Sequence, residues 1–145
     1  AGFVDGEAYI GLIKKIRPIG RLGFYYKPNI KIVQLTQNND VLKKIKEIYG
    51  GYINTVKANH EKNYRPADWW EIANRPMVKK LLLDIQPFSL VKKNHIRLLL
   101  DFINLPCGQK VEHRKYDKEK EELYWKLRAI NKRGLAETNR SNTER

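Results

Sequence analysis

The chain has 145 residues, 41% hydrophobic and 10% aromatic, and carries a formal net charge of +13 from 29 Lys+Arg against 16 Asp+Glu. That length suits one domain around one core, and the aromatic content excludes a disordered basic tail. The single cysteine, Cys107, excludes an internal disulfide and a Cys-rich zinc site, and no apolar run approaches the ~20 residues of a membrane span. No signal-peptide pattern is evident at the start. Basic residues recur along the whole chain, so the charge belongs to the folded body. A surface of that sign attracts polyphosphate, which favours nucleic acid as the partner class; the plainer alternative is charge that serves solubility.

In chain order, Ala1 to Val4 are small or apolar and Asp5-Gly6 reads as a helix end, so an element that starts further upstream is expected. Tyr9 to Arg17 alternates as a strand, with Ile10, Leu12 and Ile16 on one face and Gly11, Ile13, Lys15 and Arg17 on the other. Pro18 to Gly23 is a loop. A second strand spans about Tyr25 to Thr36; its apolar phase changes between Ile30/Ile32 and Val33/Leu35, and a β-bulge near Ile32-Val33 is expected to keep both sets inward. Asn38-Asn39-Asp40 offers N-cap chemistry for a helix over Val41 to Tyr49, which Gly50-Gly51 ends.

Tyr52 to Lys57 is a third strand, residues 58–66 a polar loop and Asp68 to Ile72 a fourth strand. Asn74 and Pro76 open a helix that runs over Met77 to Ile85, a second helix is expected over Phe88 to Ile103, and an amphipathic one from about Asp117 to Lys132 stops at Gly134. Two antiparallel hairpins, each followed by a helix, predict an α+β fold: an αββαββα core with a curved four-stranded sheet, helices on one face, and further C-terminal helices. The domain is assigned to residues 1–134, with a polar tail over 135–145.

The opening run Ala1-Gly2-Phe3-Val4-Asp5-Gly6-Glu7-Ala8 resembles the motif of the LAGLIDADG homing endonucleases, in the form found in the single-motif, homodimeric branch. The resemblance implies that this motif ends a helix at a dimer axis, that Glu7 is the metal carboxylate with the Gly6 carbonyl beside it, and that Asp5 is a structural acid at the helix end. It implies Mg²⁺ as cofactor. One carboxylate cannot easily build a metal cluster at a phosphodiester, whereas two symmetry-related copies of Glu7 can, so one motif implies a homodimer.

Val33-Gln34-Leu35-Thr36-Gln37-Asn38 is similar to the family's strand exit, which implies Gln37 near the catalytic water or metal. Gln86-Pro87-Phe88 followed by Lys92 is similar to a segment whose lysine approaches the active site, where an ammonium can stabilise charge on a phosphate. Asn131-Lys132-Arg133-Gly134 resembles a helix ending that touches DNA backbone, which makes Lys132 and Arg133 phosphate candidates, with Lys14, Lys27, Lys93 and Arg140.

An antiparallel saddle laid in the major groove of double-stranded DNA would present alternate residues to base edges. The expected contacts are Tyr9, Gly11, Ile13, Lys15 and Arg17 on the first strand and Lys31, Gln34 and Thr36 on the second, then Asn54, Val56, Trp69 and Glu71, with Trp70 in the core. His60, His95 and His113 lack metal-ligand spacing and read as surface or satisfied residues. The function expected is Mg²⁺-dependent double-strand cleavage of a long pseudo-palindromic DNA site, by an intron-encoded protein working inside bacterial cytoplasm or an organelle. The alternative is a non-cleaving descendant that binds structured RNA, such as an intron maturase or a ribosome-associated protein.

Overall fold

Over the first half of the first strand Ala8, Ile10 and Leu12 are buried and Tyr9 is exposed, a period of two from which only Gly11, buried against the Tyr9 ring, departs. That period of two is the mark of a sheet covered on one side only. The computed structural model describes residues 1–143 apart from Arg21, Tyr64 and 108–110, and side chains apart from those of Val111 and 133–143. Its elements run α1 (Gly2–Glu7), β1 (Ala8–Ile16), β2 (Phe24–Leu35), α2 (Asp40–Tyr49), β3 (Tyr52–Val56), β4 (Ala67–Ile72), α3 (Arg75–Ile85), α4 (Lys93–Asn104) and α5 (Asp117–Thr143), with 3-10 turns at Thr36–Asn38 and Val111–Tyr116. The sheet order is β1-β2-β4-β3, antiparallel throughout, so the two hairpins meet through β2 and β4. This is the α+β architecture expected from the sequence.

The helix-covered face of the sheet brings Ile10, Ile30, Ile32, Trp70 and Ile72 against Leu42, Val78, Leu82, Ile96, Leu99, Phe102 and Leu127, all buried. Trp70 donates its indole N–H to the Gly50 carbonyl at 2.8 Å, which removes the cost of burying that donor. Gly51 is required beside it. Its φ is +83°, and a Cβ there would lie 2.5 Å from the Glu71 carbonyl and 2.9 Å from the Trp70 indole nitrogen. Asp68 is buried too, and accepts from Thr36 Oγ1 (3.0 Å), Thr55 Oγ1 (3.0 Å) and Asn39 Nδ2 (2.5 Å). The hydrogen bond from Asn39, followed by those of both threonines, outweighs the effect of burial and holds the Asp68 carboxyl below its ordinary pKa. Asn74 caps α3 as expected, accepting from the Met77 amide at 3.2 Å.

Three expectations need correction. No bulge interrupts β2 against β4, where pairing is continuous from Ile30↔Ile72 to Leu35↔Ala67. An unbroken ladder keeps every backbone group paired, and the cost is that Val33 stays 47% exposed on the uncovered face. Gln34 consequently shares the parity of Ile30 and Ile32, on the helix side. The helix expected from Phe88 starts only at Lys93, because the amides of residues 90–92 are engaged by the Asp5 carboxylate. Finally, α5 does not stop at Gly134 but continues to Thr143, across the expected tail. One helical glycine costs about 1 kcal/mol relative to alanine, too little to end a helix continued by Leu135-Ala136-Glu137. No helix among the described residues is long and apolar enough to cross a membrane.

Candidate nucleic-acid interface and metal site

Strand pairing sorts the uncovered face into rows. The row in the middle takes one residue from each strand, Tyr9, Lys31, Glu71 and Tyr52 in the spatial order β1-β2-β4-β3. On one side of it lie Gly11↔Asn29, Ile13↔Lys27 and Lys15↔Tyr25; on the other, Val33, Trp69 and Asn54, then Leu35, Ala67 and Val56. The structure therefore puts Tyr9, Gly11, Ile13, Lys15, Lys31, Asn54, Trp69 and Glu71 on one face, as the alternation predicted. Arg17 lies just past the end of β1, exposed, with its amide donating to the Gly23 carbonyl. Gln34 and Thr36 leave the set. Gln34 is on the helix side, and Thr36 turns its hydroxyl to Asp68.

Polar contacts order this face. Glu71 accepts from Asn29 Nδ2 and from the Tyr52 hydroxyl, the latter at 2.7 Å. The bond to Glu71, more than burial, raises the Tyr52 pKa. Lys31 Nζ lies 4.7 Å from the centre of the Trp69 ring, a cation–π contact that holds the ammonium at the surface. Gly11 is the bare seat of Tyr9: a Cβ at residue 11 would meet the Tyr9 hydroxyl at 2.5 Å. Sequence reasoning missed Asn29, Tyr25 and Tyr52 here. Strict alternation from Lys31 and Asn54 would have found all three.

Of the candidate site residues, Gly6, Glu7 and Lys92 lie around the junction of α1 and β1. Glu7 is the last residue of α1 and is exposed, as is Gly6. Two residues back, the Asp5 carboxylate accepts from the Ser89 hydroxyl and from the amides of Leu90 (2.7 Å), Val91 (3.3 Å) and Lys92 (3.2 Å). Burial raises the Asp5 pKa, but these four donors outweigh it and lower the value to about 2. One carboxylate thus ties the helix end that bears Glu7 to the half-buried residue Lys92, which opens α4.

Behind Lys92 sits His95. Burial, then the Lys92 charge, depress its pKa against a hydrogen bond with Asn131 that raises it. Among the described residues His95 Nδ1 and His113 Nδ1 are buried with no hydrogen-bond partner, so the expected surface or satisfied state does not hold at those two atoms. Asn131 also donates to the Ile10 carbonyl at 3.0 Å, so α5 lies against β1. Gln37 is exposed in the 3-10 turn after β2, and no hydrogen bond or ion pair among the described residues joins it to Glu7 or Lys92. Lys132 is exposed on α5; the Arg133 and Arg140 side chains fall outside the described residues.

Among the described residues, no three His, Cys, Asp or Glu side chains group closely enough to hold a metal ion. Mg²⁺ commonly keeps several waters and binds through one or two carboxylates plus phosphate oxygens. An exposed Glu7 next to Gly6 fits an ion shared with a phosphate and a second carboxylate, and does not fit an ion enclosed by one chain.

The fold defines an α+β protein with an open sheet face and an exposed acidic helix end at Glu7. A sequence profile of the LAGLIDADG endonuclease family matches residues 1–85, and the chain belongs to that family. No curated protein matches it in sequence. Among solved structures, it resembles the homing endonuclease I-CvuI in complex with the I-CreI target, at 18% identity and a TM-score of 0.71, covering 89% of this chain and 77% of that one. The archaeal intron-encoded homing endonuclease I-Vdi141I complexed with DNA is similar at 20% identity and a TM-score of 0.67, covering 88% of this chain and 79% of that one. Group I intron-encoded I-CeuI, also complexed with DNA, gives 19% identity, a TM-score of 0.61, and coverage of 72% and 51%.

Proposed function

We propose that the chain is a homing endonuclease that binds double-stranded DNA through the open sheet face and, as a homodimer, makes an Mg²⁺-dependent double-strand break at a long pseudo-palindromic site. The observation that carries this reading is the Asp5 clamp, which holds the Glu7 helix end and Lys92 around one carboxylate. Family membership and the DNA complexes of the structural neighbours support it. A bound divalent ion would neutralise phosphate charge and acidify a ligated water. Within this chain, Glu7 and the Gly6 carbonyl hold the ion, Lys92 stabilises charge building on the phosphate, and Gln37 orients water.

Two features support the dimer. Gly2 and Gly6, four residues apart on α1, would place a Cβ with no atom within 4 Å, so packing within the chain does not account for their smallness. The adjoining turn exposes Phe88 (72%), Leu90 (77%) and Val91 (71%). That apolar cluster is bonded to α1 through Asp5 and suits burial against a second copy.

Plasmid cleavage with Mg²⁺ over a library of candidate insertion sites tests the reading. Specific double-strand cuts are expected, and Glu7→Gln is expected to reduce the rate at least 100-fold while duplex binding persists. Tight metal-independent RNA binding with no cleavage of any duplex would overturn it.

A further inference from the structure

Lys31 and Glu71 are direct cross-strand partners at the centre of the open face. Opposite charges so placed, with Cβ atoms about 5 Å apart, ordinarily bind each other. Here they do not. The ammonium rests over the Trp69 ring at 4.7 Å, and the carboxylate is held by Asn29 and Tyr52. An ionised carboxylate offers about four lone-pair sites, so two donors leave roughly half its accepting capacity free. Neither lysine nor glutamate is neutralised by the other, and each is oriented by neighbours of its own.

Position on the sheet decides what the pair can meet. Four strands at about 4.8 Å spacing span roughly 14 Å, against a major groove about 12 Å wide. With the strands laid along the groove, the edge residues of the central row, Tyr9 and Tyr52, would fall toward the phosphate ridges. In that orientation Lys31 and Glu71, on the two central strands β2 and β4, would face the base edges. A carboxylate is repelled by phosphate, so its partner in the groove must be a donor. Cytosine N4 is the donor that Glu accepts from, and the guanine paired with it presents O6 and N7 to a lysine.

Building on the DNA-binding reading above, we propose that Lys31 and Glu71 act together as a specificity determinant for one G·C base pair in each half-site. Glu71 accepts from the cytosine amino group and Lys31 donates to the guanine; Asn29, Tyr52 and Trp69 are positioning residues.

The test is selection of duplexes from a randomised library by the full chain in Ca²⁺, repeated with Glu71→Ala, Glu71→Gln and Lys31→Ala. The wild type should enrich one G·C pair per half-site. Glu71→Ala and Lys31→Ala should each cut discrimination at that same pair by about tenfold or more, leaving preferences elsewhere intact. Glu71→Gln keeps an acceptor for Asn29 and Tyr52, and should move the preference from cytosine toward adenine. Specific duplex binding with no G·C position sensitive to both residues overturns the pair and leaves the DNA reading standing. Weakening by Lys31→Ala that is uniform over all sequences also overturns it, since that marks a phosphate contact. Failure to select any duplex overturns the pair together with the DNA reading it rests on.

Discussion

Asp5 shows how much a single side chain contributes to this site. It receives one hydroxyl and three amides, and its pKa falls from 3.8 to about 2. Because the folded-state value is depressed, the stabilisation is fully present above about pH 4 and is lost as pH falls toward 2. Asp68 is shifted in the same direction and adds to the same acid limb. Asp5→Asn should therefore lower the thermal midpoint at pH 7 and flatten the loss of stability below pH 4. Denaturant melts from pH 7 to pH 2 check this; an acid limb unchanged by the substitution would refute the clamp. The motif made the acidity of position 5 legible in the sequence. Its partners were not, since Ser89 to Lys92 lie 84 to 87 residues away.

At the scale of elements, α5 matters because β1 is an edge strand. Asn131 donates to the Ile10 carbonyl on that edge strand, and Tyr124 stacks on Tyr26 with ring centres 4.8 Å apart. Leu127, on the same helix, is buried in the core. Leu127→Ala should cost about 2–5 kcal/mol in urea unfolding, whereas Asn131→Ala should cost about 1 kcal/mol. Because His95 bonds Asn131 and lies beside Lys92, Asn131→Ala should also slow DNA cleavage without a matching loss of duplex affinity. Equal losses in both would point to a simple unfolding of α5. Periodicity located this helix, but not its end: propensity at Gly134 is a weak term beside the good helix formers that follow.

For the whole molecule, the charge of +13 is spread over the chain, while the candidate site residues Gly6, Glu7 and Lys92 lie around the end of α1 that Asp5 clamps. Duplex affinity should then fall steeply with salt, with log K against log[salt] approaching a slope of −0.9 per phosphate neutralised; filter binding between 50 and 200 mM salt measures it. On the proposed homodimer, in which each copy would supply one Glu7, replacing Phe88 and Leu90 by Glu should shift the solution mass from dimer to monomer and remove double-strand cleavage. A variant that still sediments as a dimer would locate the interface elsewhere. Both side chains are already more than 70% exposed, so the substitution leaves the core intact.

The sequence by itself determined the family, the α+β order of elements and the outward parity of β1, β3 and β4. Each of these rests on local spacing: eight consecutive motif residues, a period of two, and turns at Gly and Pro. Tertiary structure alone decided the continuous register of β2, which moved Gln34 off the open face and exposed Val33. It also decided the delayed start of α4 and the mutual avoidance of Lys31 and Glu71. These outcomes depend on hydrogen-bond partners from distant parts of the chain competing for the same groups, and no local pattern records which partner wins.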